Sequence, residues 1–128
     1  MKALKVVPFL LLLGACTTGS APQYVLAAGE KGVFTSRNPG PPIAADRIKG
    51  MSEQDLASTF GAPSLDRKDE PARVLRYQSD ACTLFVYLYR SNGTTWRAQT
   101  ADALDTYMRP LPVDQCAGSV SVQKRRSA

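Results

Sequence analysis

Eight consecutive residues, Cys82 to Tyr89, restrict the fold more than any other stretch of the chain. They are aliphatic, β-branched or aromatic almost throughout. At strand period Cys82, Leu84, Val86 and Leu88 point one way, and Thr83, Phe85, Tyr87 and Tyr89 point the other. A strand apolar on both faces cannot stand alone in water; it belongs to a sheet with something packed against it. Asn92-Gly93 follows closely, the preferred dipeptide of type I′ hairpins, and predicts a reversal into a further strand from Thr95 to about Thr100. Upstream, Ala72 to Gln78 alternates with Leu75 and Tyr77 on one face and Val74, Arg76 and Gln78 on the other. The three runs read as a three-stranded antiparallel meander.

The cover is a helix. Ser52 is a candidate N-cap, and Ser52-Glu53-Gln54-Asp55 comes close to the capping-box pattern. Leu56 and Phe60 lie one turn apart, Gly61 supplies a left-handed terminus and Pro63 blocks continuation. The fold class is therefore α+β, with short helices on one face of the sheet. So short an apolar stripe covers only one face. At about 25 cal/mol per Å² of buried apolar area, the smooth aliphatic set is the expected core side. Phe85, Tyr87 and Tyr89 are then left either as a half-wet binding face or as a second core beneath Trp96, the N-terminal segment or the C-terminal segment. Asp66, Asp69 and Glu70 mix with Arg67 and Lys68 before Pro71 and read as a solvated loop. Beyond Thr106, Pro110 and Pro112 argue for irregular backbone.

Histidine is absent, which removes Ser-His-Asp and Cys-His catalysis, zinc sites built on His and the usual proton shuttle near neutrality. The reading is non-catalytic, with no metal and no cofactor. Met1 to Lys5 carries Lys2 and Lys5, Val6 to Leu13 is an apolar run, and Gly14 and Ala15 are small: a signal peptide over 1–15. Spanning a bilayer takes about 20 apolar residues, so this run exports the chain and does not anchor it. Leu13-Gly14-Ala15-Cys16 resembles the bacterial lipobox. That resemblance implies a diacylglyceryl thioether on Cys16, cleavage before it and acylation of the new amine, palmitate included. The partner of the N-terminus is then membrane lipid, at the periplasmic face of the outer membrane, because Thr17 stands where an inner-membrane retention signal has Asp. Loss of Lys2 and Lys5 takes the formal charge from +5 to +3, and nucleic-acid binding is not expected.

Residues 16–43, with Pro22 and Ser36-Arg37-Asn38-Pro39-Gly40-Pro41-Pro42, read as a lipidated tether. Tyr24-Val25-Leu26 and Val33-Phe34 are apolar islands that either dock or stay disordered. The folded domain is expected over 44–118, and Lys124-Arg125-Arg126 falls in a solvated basic tail over 119–128. Cys82 and Cys116 remain after Cys16, in an exported chain, and predict one disulfide. Closing a loop of about 35 residues contributes roughly 3 to 4 kcal/mol in the loop-entropy model.

Gly50-Met51-Ser52-Glu53, Leu56, Phe60-Gly61-Ala62-Pro63, Val74-Leu75-Arg76-Tyr77 and then Cys82 to Tyr89, in that order behind a lipobox, resemble the SmpA/OmlA (BamE-like) small outer-membrane lipoprotein domain over about residues 48 to 100. The resemblance implies helices on a three-stranded antiparallel sheet, an architecture shared with β-lactamase inhibitor proteins. It also implies an accessory role in the outer-membrane β-barrel assembly machine or in envelope integrity, with an envelope protein as partner. Phe85, Tyr87 and Tyr89 are the expected partner-binding residues. The alternative is a periplasmic inhibitor or ligand-binding module whose sheet clasps an exported enzyme, a wall fragment or a lipid.

Overall fold

In chain order the computed structural model, which describes residues 31–127, contains α1 (Ala45–Ile48), α2 (Glu53–Phe60), β1 (Leu65–Asp69), β2 (Ala72–Gln78), β3 (Cys82–Ser91), β4 (Thr95–Asp105), β5 (Pro110–Leu111) and α3 (Val113–Ser127). The expected signal peptide, Cys16, the first part of the expected tether and Tyr24-Val25-Leu26 lie outside the described residues. The class is α+β, as expected. The sheet has five antiparallel strands in the order β1-β2-β3-β4-β5, where three were expected.

Local chemistry explains α2 and the central hairpin. Ser52 Oγ accepts from Asp55 N–H at 3.1 Å, the Asp55 carboxylate accepts from Ser52 N–H at 2.9 Å, and Gly61 closes the helix at φ 83°. Asn92 and Gly93 both adopt positive φ, 52° and 75°, as a type I′ turn requires. β4 runs beyond the expected Thr100 because Ala101 to Asp105 continue the ladder along Val86 to Cys82, and the register shifts between Tyr87 and Leu88, which pair with Thr100 and Ala98. The extra residue, Gln99, forms a bulge that returns Trp96 and Ala98 to the face shared by Ala101 and Ala103.

Three expectations fail. The charged stretch read as a solvated loop is the edge strand β1, exposed at all five positions and paired from Leu65↔Arg76 to Asp69↔Ala72. Its ladder comes from the backbone, and its charges suit an edge facing water. Arg73, only 8% exposed, forks onto Asp66 (Nε–Oδ1 2.7 Å, Nη2–Oδ2 2.5 Å) and also pairs with Glu53 of α2, tying the edge strand to the helix. Those Arg73 hydrogen bonds hold the Asp66 carboxyl below its ordinary range.

The irregular segment and basic tail are instead β5 and α3. Pro112 stands just before the first helical turn, where a missing N–H costs nothing. Gly, Ser and Val make α3 a poor helix by propensity; its stripe of Cys116, Ala117 and Val120, all at most 3% exposed, holds it against the sheet. Lys124 is no solvated tail residue, because its Nζ donates to Ala57 O and Ser58 O and so caps α2.

The expected tether, finally, does not stand off from the domain over 32–43. Phe34 and Ile43 pack on the core, Ile43 N–H bonds Asp114 O at 3.0 Å, and Ser36 Oγ donates to Asp80 at 3.0 Å. Gly118 permits this strap to lie against α3: a Cβ there would sit 2.4 Å from Pro41 O.

The core lies between the helices and the aliphatic face. Ile48, Leu56, Leu84, Val86 and Leu88 are at most 1% exposed, and Phe60 meets Tyr77 at 5.3 Å between ring centres. Cys82 and Cys116 are joined by a disulfide that fastens α3 to β3. No helix among the described residues is long and apolar enough to cross a membrane.

Candidate functional site

The ladder register assembles the opposite face of the sheet row by row. Phe85 lies between Arg76 and Asp102, and Tyr87 between Val74 and Thr100. Thr83 lies between Gln78 and Leu104, and Tyr89 between Ala72 and Arg97. The buried residues of α2 and α3 lie on the other side, where the aliphatic residues need them, and α3 touches this face through its first residue, Val113. Trp96, one expected cover, is buried on the helix side with the Arg90 guanidinium 4.9 Å from its ring.

Phe85 and Tyr87 are half-buried, whereas Tyr89 is 39% exposed. The first two line a groove of about 440 Å³ with Asp102, Leu104, Pro110 and Val113; Tyr89 stands outside it, farther along β3. Sequence reasoning missed Leu104, Pro110 and Val113 because it ended the third strand near Thr100. Continuing the alternation from Asp102 to Leu104 was the signal that would have placed Leu104 beside Thr83. The groove mixes an apolar floor with one carboxylate. Burial pushes the Tyr87 phenol up from its ordinary range, and the neighbouring Asp102 carboxylate adds to the shift. A neutral tyrosine hydroxyl beside an anionic rim can accept an apolar side chain and pair a cation, which is recognition chemistry.

Elsewhere the charged groups serve structure. Asp66 and Glu53 engage Arg73, and Glu70 pairs with Arg90 at 2.6 Å. No three His, Cys, Asp or Glu side chains converge among the described residues. Cys82 and Cys116 are paired with one another, as their count predicted. Compared with protein-family models, with curated proteins and with solved structures, the chain finds no match.

Proposed function

We infer that this chain is a non-catalytic lipoprotein, anchored through Cys16 at the periplasmic face of the outer membrane, whose open sheet face binds another envelope protein. The observation that carries the reading is the groove of Phe85, Tyr87 and Leu104 left on the open side of the sheet, with Asp102 at its rim. Aromatics with polar tips are the residues that most often anchor protein interfaces. Anchoring by two or more acyl chains confines the domain to the membrane surface, and the raised local concentration lets a small patch of modest affinity suffice. The sequence resemblance to SmpA/OmlA (BamE-like) domains supports a partner in β-barrel assembly or envelope maintenance. The edge strands β1 and β5 and the C-terminal helix are features that this likeness did not include.

Copurification from detergent-solubilised membranes tests the reading. Recovery with barrel-assembly or other envelope subunits is expected, and Phe85→Ala or Tyr87→Ala should deplete them while leaving the fold intact. A chain whose partners persist in both variants does not bind through this face. A second reading, an inhibitor or ligand-binding module, is favoured by the groove's volume, which falls within the range of small-molecule sites. Recovery with an exported hydrolase would support that second reading.

A further inference from the structure

β4 ends in two turns of opposite character. At its start the tip is Asn92-Gly93-Thr94, polar and exposed. At its end, some 35 Å away by strand rise, Thr106-Tyr107-Met108-Arg109 joins β4 to β5 and carries Tyr107 79% exposed and Met108 66% exposed. Val33, 65% exposed, lies beside that turn across the pocket it shares with Tyr107 and Arg109. Three of the five exposed large hydrophobic residues among those described therefore stand together.

This apolar tip is held rigidly. The Asp105 side chain, 2% exposed, accepts from Tyr107 N–H at 2.8 Å, Arg109 N–H at 2.9 Å and Arg109 Nε at 2.8 Å. Burial alone would raise the Asp105 pKa, but the Arg109 and Tyr107 hydrogen bonds outweigh it and hold the carboxyl below its ordinary range. The Arg109 guanidinium lies 5.2 Å from the Tyr107 ring centre. Met108 takes φ 63°, a conformation that costs a bulky residue energy and is seldom kept without a use. A turn selected only for folding would carry Asn or Gly there, as the other tip does.

The location of the tip indicates its occupant. The chain reaches the described residues at this turn: Gly32 N–H bonds Pro110 O at 2.8 Å, and a Cβ on Gly32 would lie 2.8 Å from the Asp105 carboxylate. Cys16 precedes Gly32 by 16 residues, a connection of about 50 Å at full extension, and its point of entry beside this turn sets which tip lies nearer the anchor. Of the two tips, the one next to the anchor's attachment point is apolar and the one at the far end of the strand is polar.

We propose that Val33, Tyr107 and Met108 form an interfacial contact that seats the domain on the lipid bilayer with the β4–β5 turn against the membrane. Tyrosine suits the headgroup boundary, where its ring is buried and its hydroxyl stays wet, while methionine and valine reach the acyl region. The charge of Arg109 is offset by its ion pair with Asp105, and Asp80, which lines the same pocket, accepts from Ser36 Oγ and Arg37 N–H. The proposal rests on the lipid-anchor reading and adds an orientation to it.

The test places an environment-sensitive fluorophore on Thr106→Cys or, as a control, on Thr94→Cys in the mature full chain carried on phosphatidylcholine vesicles. Doxyl-labelled lipid serves as quencher. Cys16 is blocked by acylation and Cys82–Cys116 by their disulfide, so the introduced thiol alone takes the label. The label at 106 is expected to shift to the blue and be quenched, and the label at 94 to remain in water. Tyr107→Ser with Met108→Asn should abolish the quenching at 106 while the chain still floats with the vesicles; Asn tolerates the left-handed conformation, so the turn is kept. Equal quenching at both positions, no quenching at 106, or quenching that survives the double substitution overturns the proposal. Shielding of 106 that needs added envelope proteins also overturns it, in favour of a protein contact. A wild-type chain that does not float shows that the anchor reading has failed. A Cys16→Ser chain carrying an N-terminal hexahistidine tag and held on nickel-chelating lipid then supplies the anchor without a competing thiol, and quenching of the label at 106 still decides whether the turn meets the bilayer.

Discussion

The two faces of β3 are written in alternate residues of one strand, yet they come to opposite ends. Leu84, Val86 and Leu88 are fully buried beneath α2 and α3, whereas Phe85 and Tyr87 are half-buried and Tyr89 is 39% exposed. Hydrophobicity alone does not separate them, since an aromatic ring buries as much area as an aliphatic side chain. The difference lies in what covers each side. Both helices, the disulfide and the strap over α3 all belong to the aliphatic side. A strand with period two can thus bury its even-numbered positions and leave its odd-numbered positions open, provided the cover is laid on one side only.

That contrast can be broken experimentally. The largest expected effect is on the closed side: replacing both Cys82 and Cys116 by Ala should lower unfolding free energy by about 4 kcal/mol, because the unfolded chain then regains the entropy that the closed loop denied it. Chemical denaturation of the two forms measures it. Leu84→Ala, on a residue with no exposure, should cost about 3 kcal/mol by the same assay. Tyr77 gives a smaller and pH-dependent effect. Burial pushes its phenol up to about 12, so its contribution is intact below pH 10 and is lost as pH rises through about 12. The loss should be roughly 2 to 3 kcal/mol and absent from Tyr77→Phe.

On the open side the scale drops. Phe85→Ala should cost about 1 kcal/mol of stability, with the loss appearing instead in partner capture. A cost as large as that of Leu84→Ala would make the aromatic row a second core and overturn the division of labour. Smallest is the acid limb. Asp66 is held below its ordinary range by Arg73, so its contribution is present above about pH 4 and lost as pH falls through the lowered value. Its side chain is 42% exposed, and solvent screening keeps the effect to a fraction of a kcal/mol. A pH series on Asp66→Asn should lack that limb.

Half of the architecture was legible from short-range signals. The Ser52–Asp55 cap, the Gly61 stop, the Asn92-Gly93 turn and the alternation of β2 and β3 each depend on residues within a few positions of one another. β1 and α3 were not legible, for different reasons. Leu65–Asp69 has the composition of a loop and becomes a strand only because β2 offers a ladder edge and Arg73 a partner for Asp66. Val113–Ser127 carries weak helix formers, and its helicity depends on burying Cys116, Ala117 and Val120 against strands that precede it by some 30 residues in the chain. Of the three aromatics singled out by strand period, Phe85 and Tyr87 share one groove. Tyr89 was grouped with them by period alone, and the groove ends before it.

By itself the amino-acid sequence determined the two-faced strand, its capped helix, the hairpin reversal and the cysteine pair, since each is an interaction between near neighbours or a matter of counting. The aliphatic face was the expected core side and is the closed one; whether the aromatic face would be covered as well was decided only in three dimensions. The covering elements are distant in the chain, and burial is shared among all of them, so no local pattern can report which side the last helix and the strap will take.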